Sequence, residues 1–533
     1  MRHIKVPAQE KTLFDLQDVG WWATQLSSNG LRYLEESWQG VFRRSVLKEL
    51  EKPVEAIGTH FDESQGRPSK ELYAVCGLLL IAEFKDYTVD ETAEAWSFDA
   101  GVQYALDLPR DRQYLSARSV DNYRKLLREN GNMQEVFTTV TSTLVRELEV
   151  SIERQRLDST HVLSHMAKLS RLQLLSVSVR RFLVQLKRYD LAGYQALDSA
   201  LRERYELAET RLFGLGTRKP QPREEALQQA AEDLAFLVGR FAQEPKHHAR
   251  KSYLALVRLL SEHCEIKEDK VVVRPRSVDE QGGSGQCLQN PSDPGAGYSG
   301  HKGAGYQVQI AQALPPRDAD GEKEGPGLIT ACLSQSAAVH DSEALGPVLD
   351  QQKAAGLLPG ELTADTHYGS DANVQFASSQ SVELISPVGG VAPKAGKVPV
   401  HHCTKKESES KKRLNDRREQ QGTEKWKKDY ASRSGIEGVN RALDVVTGLK
   451  ELRVRGTRAV QIAVTLKITG WNILAAAKIR AFRARKARRQ QQNTGKSAGS
   501  GGKPAQTRLR PSATRALRRR LPLPSPQIRL NWE

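Results

Sequence analysis

Apolar positions in the first 150 residues recur with the period of an α-helix. The pattern predicts a buried helix over 71–81, a second helix over 88–96 and a third over 116–128. Ser119 is the predicted N-cap of the third helix, because an apolar stripe at helical spacing begins directly after it. The other face of this helix is basic and carries Arg118, Arg124, Lys125 and Arg128. A basic helix behind a turn is typical of a DNA-reading unit, although most charged faces are simply solvated.

Shorter segments with strand patterns predict a sheet in the middle of the chain. Residues 152–158 alternate and predict a strand that ends at Asp158. Tyr306, Val308 and Ile310 lie on one face of a second predicted strand. Another strand is predicted to stop at Asp365, so two aspartates end strands of this sheet. Further elements are predicted as strands at 328–333 and 382–387, a helix capped near 341–342, and a helix at 371–379.

These patterns divide the chain into segments of different character. Two apolar stripes at helical spacing indicate a helical insertion, and a long helical pattern near the end is interrupted at Gly448 and Gly456. Residues 271–305 are rich in Gly, Ser, Pro and Asp and are predicted to form a loop. The expected segments are a helical N-terminal domain (1–150), a first core strand (151–160), the insertion (161–270), an α/β core (271–390), a charged linker (391–425), C-terminal helices (426–480) and a basic tail (481–533).

Composition excludes several classes of protein. A chain of 533 residues is too long for one core, and 38% hydrophobic with 27% charged residues suits a folded, soluble protein. The sequence has no apolar run long enough to cross a membrane and no apolar block of a signal peptide, so we expect no membrane partner and a cytoplasmic location. Its five scattered cysteines form no C-x-x-C pair, and the cluster His401-His402-Cys403 is expected to be a solvated loop.

The positive charge is concentrated at one end of the chain. Residues 478–533 contain 16 Lys/Arg and one Glu, a net charge of +15, whereas the whole chain has +16. The preceding residues are therefore almost neutral. From about Ala487 the sequence has too few apolar residues to form a core, and we expect it to be disordered.

Three acidic residues have the positions needed for a metal site. Asp158 and Asp365 end predicted strands, and Glu437 lies on a later predicted helix. An all-oxygen site of this kind suits Mg²⁺ or Mn²⁺, and two such ions activate the attacking oxygen and stabilise the leaving oxygen of a phosphodiester. With 64 acidic residues in the chain, the trio alone is weak support, since acidic residues are most often solvated or capping groups.

The sequence around each acid strengthens this interpretation. The blocks Leu157-Asp-Ser-Thr-His-Val162, Thr363-Ala-Asp-Thr-His-Tyr-Gly-Ser370 and Arg433-Ser-Gly-Ile-Glu-Gly-Val-Asn440 resemble the three catalytic blocks of the DDE transposases of bacterial insertion sequences. The segment Tyr298-Ser-Gly-His-Lys-Gly-Ala-Gly-Tyr306 is similar to the approach to that family's second core strand. Residues 52–130 resemble its N-terminal helical domain, and the likeness extends over roughly 10–480.

The resemblance implies an α/β RNase H-like catalytic core, a mixed sheet with flanking helices, next to the helical domain and the insertion. It implies that Asp158, Asp365 and Glu437 hold two Mg²⁺ or Mn²⁺ ions. It also implies double-stranded DNA as substrate, a homodimer on that DNA, and a bacterial nucleoid-associated protein. The DNA contacts that we expect are Tyr430, Arg433, Lys302, Arg118, Arg124 and Arg453.

One position departs from the family's Tyr-x2-Arg-x3-Glu-x6-Lys signature. Tyr430, Arg433 and Glu437 match it, but Asp444 stands where the lysine is expected. The departure removes one expected phosphate contact, which Arg441, Lys450 or Arg453 would have to replace. Arg433 has a second possible role as a salt-bridge partner of Glu437, one helical turn away.

Several functions remain open on the sequence. An active transposase is the first, and a metal-dependent nuclease of the same fold is the second. The third is a DNA-binding remnant that no longer cuts, which Asp444 favours and the three intact acids oppose. A basic RNA-associated factor would rest on the tail alone, since the sequence has no aromatic-rich platform for RNA.

Overall fold

A computed structural model describes residues 2–4, 26–62, 65–66, 68–108, 113–207, 212–213, 222–268, 270–274, 284–389 and 405–497. Within these residues the strands are β1 Arg154–Val162, β2 Cys264–Lys267, β3 Lys270–Val273, β4 Gly297–Ser299, β5 Gly303–Ala313, β6 Ile329–Ser336, β7 Glu361–Ala364 and β8 Glu383–Ile385. The centre of the fold is a six-stranded mixed sheet, β4-β5-β1-β7-β8, with β6 paired to β5, and β2 and β3 form a separate hairpin. Strand β5 runs antiparallel to both β1 and β6, whereas β7 and β8 run parallel to β1.

Strand β5 is central and almost entirely buried, which explains its composition. Tyr306, Val308 and Ile310 lie on one face, as predicted, and pack on the C-terminal helices. Gln307 and Gln309 alternate with them and are buried, but each is satisfied by a hydrogen bond from its amide, to the carbonyl of Val339 and to a carboxylate respectively. The helical elements beside the sheet are the 3₁₀ turns Ser284–Gln286, Asp341–Ala344 and Thr366–Tyr368 and the helices Leu345–Ala354 and Asp371–Ser379.

The N-terminal region is helical, as predicted. Its third predicted helix begins after Ser116, not Ser119, because the Ser116 hydroxyl accepts a hydrogen bond from the Ser119 amide. The bounds are Ser28–Glu36, Trp38–Val41, a π-helix Phe42–Val46, a 3₁₀ turn Leu47–Leu50, Glu51–Gly58, Leu72–Phe84, Val89–Phe98, Ala100–Ala105, Ala117–Asn130 and Met133–Leu148.

The core of this N-terminal region also contains residues from the far end of the chain. Leu466 and Ile473 of the helix Thr457–Ser497 are buried among the N-terminal helices. Lys467, 2% exposed, donates hydrogen bonds to Asp86 Oδ1 (2.9 Å) and to the carbonyls of Glu83 (3.0 Å) and Thr447. The N-terminal helices therefore do not complete their core from residues 1–150 alone.

The insertion has its own apolar core, and residues of both predicted apolar stripes contribute to it. The hairpin β2–β3 follows the helices of the insertion. It lies where the sequence predicted the end of the helical segment and the start of the loop 271–305, so both expectations are wrong at this point. Residues 275–283 of the predicted loop lie outside the described residues. The helices are Arg171–Tyr189, Leu191–Gln195, Ser199–Glu206, Arg223–Phe241, Pro245–His248 and Lys251–His263.

The C-terminal segment is helical on both sides of the expected breaks at Gly448 and Gly456. Its elements are Lys405–Gln421, Glu424–Tyr430, a 3₁₀ turn Ala431–Ser434, Gly435–Thr447 and Thr457–Ser497. Within the stretch Thr457–Gln492, one window is long and apolar enough to cross a membrane by length and composition, and 78% of that window is buried in the protein.

Three expectations from the sequence are wrong at the level of elements. Strand β1 does not end at Asp158 but continues to Val162, because its antiparallel pairing with β5 continues that far. Part of the charged linker is the helix Lys405–Gln421, which Arg413 and Arg417 attach to the core. Helical structure also continues beyond Ala487 to Ser497, and the rest of the predicted disordered tail, 498–533, lies outside the described residues.

Candidate active site

Asp158 and Asp365 are brought together by the register of two parallel strands. The last residue pair between β1 and β7 is Leu157 with Ala364, so each aspartate is the next residue in its strand direction. Strand β7 ends there, as predicted, while β1 continues along β5. The two carboxylates therefore lie at the point where one side of β1 loses its neighbouring strand.

Glu437 comes to the same place from the first turn of the helix Gly435–Thr447, with Arg433 in the preceding 3₁₀ turn. The Arg433 guanidinium contacts all three acids. Its Nη2 lies 3.3 Å from Asp158 Oδ1 and 3.4 Å from Asp365 Oδ2, and its Nη1 lies 3.6 Å from Glu437 Oε1. The salt bridge to Glu437 is thus present, but it is one of three such contacts. One cationic group stands among carboxylates from three separate elements.

Asp158 is the most enclosed of the three acids. Its side chain is 14% exposed, against 36% for Asp365 and 71% for Glu437. Burial raises the pKa of Asp158, because it disfavours the charged form, and the nearby Arg433 opposes this shift. Asn440, one turn beyond Glu437, donates from Nδ2 to Asp158 Oδ2 at 3.1 Å. The site therefore holds a buried carboxylate whose charge needs a neighbouring cation.

The side chains present fit a hard divalent cation. Their donors are carboxylate oxygens, the ligands that Mg²⁺ and Mn²⁺ prefer, and the guanidinium of Arg433 already occupies a cationic position among them. Buried Asn440 Oδ1 has no hydrogen-bond partner among the described residues and is a further oxygen next to Asp158. Three acids and one guanidinium carry a formal charge of −2, which one divalent ion would neutralise.

A second group of possible metal ligands lies far from these acids, in the insertion. Asp190, Glu244 and His247 bring their ligand atoms within 4.8 Å of one another. The Lys246 ammonium is 2.8 Å from Asp190 Oδ2 and 3.2 Å from Glu244 Oε2, so a lysine already supplies the positive charge. The group is an ion-pair cluster that caps the helix Leu191–Gln195.

The side chain of Ser159 points away from the acids into a polar network on the other side of β1. Lys302 Nζ donates to Ser159 Oγ at 3.0 Å, and Ser159 Oγ donates to Asp341 Oδ2 at 3.1 Å. Asp341 also accepts from Gln309 Nε2 at 2.8 Å. Lys302, a predicted DNA contact, therefore contacts the residue that follows Asp158 on β1.

The other predicted DNA contacts are spread over several elements. Tyr430 stacks on Trp426 with ring centroids 4.8 Å apart, directly before the 3₁₀ turn that carries Arg433. Arg118 is exposed on the helix Ala117–Asn130. The structure does not bring Arg124 and Arg453 to the acids: Arg124 points inward and donates to the Tyr87 carbonyl and to Thr92, and Arg453 pairs with Asp86 at 3.1 Å.

Asp444, at the position of the expected signature lysine, has a local structural role. It lies near the end of the helix Gly435–Thr447, where its carbonyl accepts from the Gly448 amide at 2.8 Å. Its carboxylate accepts from the Lys450 amide at 3.3 Å. Gly448 has a positive φ of 62°, a conformation that glycine adopts without strain, so this carboxylate caps a tight helix end.

A family model described as a transposase DDE domain matches residues 394–476. In this segment the chain is similar to a transposase DDE domain. The match covers the segment that carries Arg433 and Glu437, whereas Asp158 and Asp365 lie before it. No curated protein and no solved structure matches this chain.

Asn440 is a residue of the site whose role the sequence did not reveal. It is the last residue of the block Arg433-Ser-Gly-Ile-Glu-Gly-Val-Asn440, and the resemblance assigns it no role. Its spacing of three residues from Glu437 puts both side chains on one helical face, which is the signal that would have found it.

Proposed function

We propose that this chain is a DDE transposase, which cleaves transposon-end DNA in a metal-dependent reaction and transfers the freed strand into target DNA. The observation that carries the proposal is the convergence of Asp158, Asp365 and Glu437 on the single guanidinium of Arg433. Carboxylates from three distant segments rarely share one cation unless the fold is built to hold positive charge there, because uncompensated buried acids are costly.

The sheet supports an RNase H-like core for this reaction. Three antiparallel strands in the order β6-β5-β1 are continued by two strands parallel to β1. The first acid lies on the central strand β1, the second follows β7, and the third lies on a helix packed against β1. This is the arrangement that the family resemblance implies.

Each residue then has a distinct task. Asp158, Asp365 and Glu437 are the proposed ligands of two Mg²⁺ or Mn²⁺ ions, which when bound supply charge neutralisation at the attacking and leaving oxygens of the phosphodiester. Asn440 orients Asp158 through its hydrogen bond. Arg433 is placed to exchange its carboxylate contacts for a DNA phosphate, because a guanidinium fork binds either group.

DNA binding is proposed to extend beyond the acids. Tyr430 would stack on a base or pack against the sugar, and Lys302 and Arg118 would contact backbone phosphates. Arg124 and Arg453 are weaker candidates, because their guanidinium groups already have protein partners. We further propose a homodimer on the DNA, an origin in a bacterial insertion sequence and a cytoplasmic, nucleoid-associated location.

Two other functions are compatible with the same fold, and one of them has specific support. A nuclease of the same fold would use the same acids but would not join strands. A DNA-binding remnant is favoured by Asp444, which removes the signature lysine, and by Arg433, which occupies the position where cations are needed. Both differ from the proposed function in the products that they give.

The deciding experiment uses a labelled duplex that carries the inverted repeat flanking the gene, a supercoiled target plasmid and Mg²⁺. A transposase yields a free 3′-hydroxyl at the repeat end and plasmid joined to the labelled strand. Cleavage without joined product identifies the nuclease, and a shifted duplex without any cleavage identifies the remnant. Glu437→Gln, which keeps the size of the side chain, should abolish both products while the duplex is still bound.

A further inference from the structure

One face of strand β1 contacts the C-terminal segment at every second residue. Arg154 Nη2 lies 3.4 Å from Asp429, Arg156 Nη1 donates to the Ser432 carbonyl at 3.1 Å, and Asp158 meets Arg433 and Asn440 as described above. Alternate residues of a strand share one face of a sheet, so these contacts form a continuous row. The acid Asp158 is the last member of that row.

Arg156 is the buried member of the row. Its residue is 5% exposed, and burial lowers the pKa of the guanidinium. Nε and Nη2 both donate to Gln312 Oε1, at 3.0 and 2.7 Å, and Gln312 Nε2 in turn donates to the Gly327 carbonyl at 2.8 Å. Within the described ranges, Arg156 has no carboxylate at ion-pair distance. Neutral oxygens alone therefore satisfy this buried cation.

A buried cation without an opposite charge is expensive, and an apolar side chain of similar length would fill the same space at lower cost. What an apolar side chain lacks is the rigid fork of donors, which makes three hydrogen bonds to two carbonyl-type oxygens through one planar group. At Arg156 that fork joins β5, through Gln312, to the 3₁₀ turn Ala431–Ser434. The fork therefore links the sheet to the turn that carries Arg433.

Gly435 is a second, independent sign of the same contact. It is the first residue of the helix that carries Glu437, and it lies directly after the turn. A Cβ atom at this position would overlap Arg156 Nη1. Any residue larger than glycine would have to displace either the guanidinium or the start of the helix, which lies between Arg433 and Glu437.

We propose that Arg156 is a positioning residue for the catalytic acids: it fixes the turn Ala431–Ser434 against β1 so that Arg433 and Glu437 face Asp158. The proposal rests on the proposed function only in that it treats the three acids as a divalent-metal site. Without this contact the turn is free to shift. A shift of about 1 Å is enough to cost about a hundredfold in a reaction that depends on positioning.

The test measures metal binding separately from catalysis. Mn²⁺ is titrated into the full-length protein and the free ion is followed by electron paramagnetic resonance, with thermal melting and end-DNA binding as fold controls. Arg156→Lys keeps the charge but loses the fork, and Gly435→Ala adds one methyl group against it. Each should fold, melt within a few degrees of the wild type and bind DNA within about twofold, yet weaken Mn²⁺ binding at least about tenfold.

Arg154→Lys is the matched control, because Arg154 lies on the same face of the same strand but is 42% exposed and pairs with Glu361 and Asp429. It should bind Mn²⁺ like the wild type. In the double variant, the effect of Gly435→Ala should be smaller than in the wild-type background, because the lysine no longer carries Nη1. Equal effects in both backgrounds would mean that Gly435 does not act through Arg156.

Wild-type Mn²⁺ affinity in both Arg156→Lys and Gly435→Ala would overturn the proposal, and so would a wild type that binds no Mn²⁺. A wild type that binds Mn²⁺ but never cuts DNA would overturn only the proposed function, since the shift in Mn²⁺ affinity would still decide the role of Arg156. Where cleavage is present, the two variants should lower kcat by a larger factor than they raise the KM for DNA, because Arg433 is only one of the proposed DNA contacts and Lys302 and Arg118 lie outside the turn.

Discussion

Replacing Asp158 with Asn removes one charge from the cluster and changes the side-chain shape very little. The formal charge of the three acids with Arg433 then falls from −2 to −1. Two unit charges about 4 Å apart interact by about 4 kcal/mol at an effective dielectric constant of about 20. A loss of about 4 kcal/mol in the transition state slows a reaction about a thousandfold. We therefore expect cleavage by Asp158→Asn to be slower by about that factor.

Stability should respond in the opposite way. Burial raises the pKa of Asp158, so the fold holds the ionised group at a cost, and Asn removes that cost. Its side-chain oxygen can still accept from Asn440. The melting temperature of Asp158→Asn should therefore equal or exceed that of the wild type.

The assay is single-turnover cleavage of a labelled terminal-repeat duplex with protein in excess, over a range of Mg²⁺ concentrations. Asp341→Asn is the matched control: Asp341 is also 14% exposed, but it contacts Ser159 and Gln309 instead of Arg433. Its rate should stay within tenfold of the wild type. Cleavage by Asp158→Asn at more than a tenth of the wild-type rate, with the control unchanged, would refute the assignment of Asp158 as a ligand.

Three other outcomes are expected. Lys467→Met should lower the free energy of unfolding by about 2–4 kcal/mol in urea, since two carbonyls lose their donor and Asp86 keeps only Arg453, whereas Arg453→Met, 55% exposed, should cost less than about 1 kcal/mol. The Lys246 ammonium holds the pKa of Asp190 at about 2, so Asp190→Asn should lower the melting temperature at pH 7, and the difference should shrink as the pH falls from about 4 to 2. Deletion of 487–533 should weaken binding to specific and random duplexes equally and flatten the salt dependence by about 0.9 per lost phosphate contact; unchanged slopes would contradict this.

The sequence predicted the site best where a local rule was sufficient. A strand that stops at a polar residue predicted β7 and Asp365, and the helix predicted at 371–379 is the helix Asp371–Ser379. The strand predicted from the sequence is shorter than β1, because the polar residue Asp158 resembles a strand end. Its continuation depends on pairing with β5, which is distant in the chain.

Features created by tertiary contacts could not be predicted in this way. The helix Lys405–Gln421 is polar on all sides, which is typical of a linker, and its attachment depends on Arg413 with Asp371 and on Arg417 with two carbonyls. Arg156 was only one charged residue in a strand pattern, because nothing local shows that its partners are Gln312 and Ser432. The three proposed catalytic acids were recognised from their blocks, and the residues that orient them were not.

The shared N-terminal core has a consequence for how the protein is made. The N-terminal helices leave the ribosome early, but Leu466 and Ile473, which complete their core, are synthesised more than 300 residues after Leu148. At about 5–20 residues per second, this interval is roughly 15–65 s. During this interval the apolar surface that Leu466 and Ile473 will later cover stays open to solvent or to a chaperone. Burying each of these two side chains contributes roughly 1.5–3 kcal/mol to the free energy of folding. A message cut short before residue 466 would thus yield helices that cannot close their core, and the N-terminal helices and the helix that carries Glu437 should reach their final packing at the same late stage of synthesis.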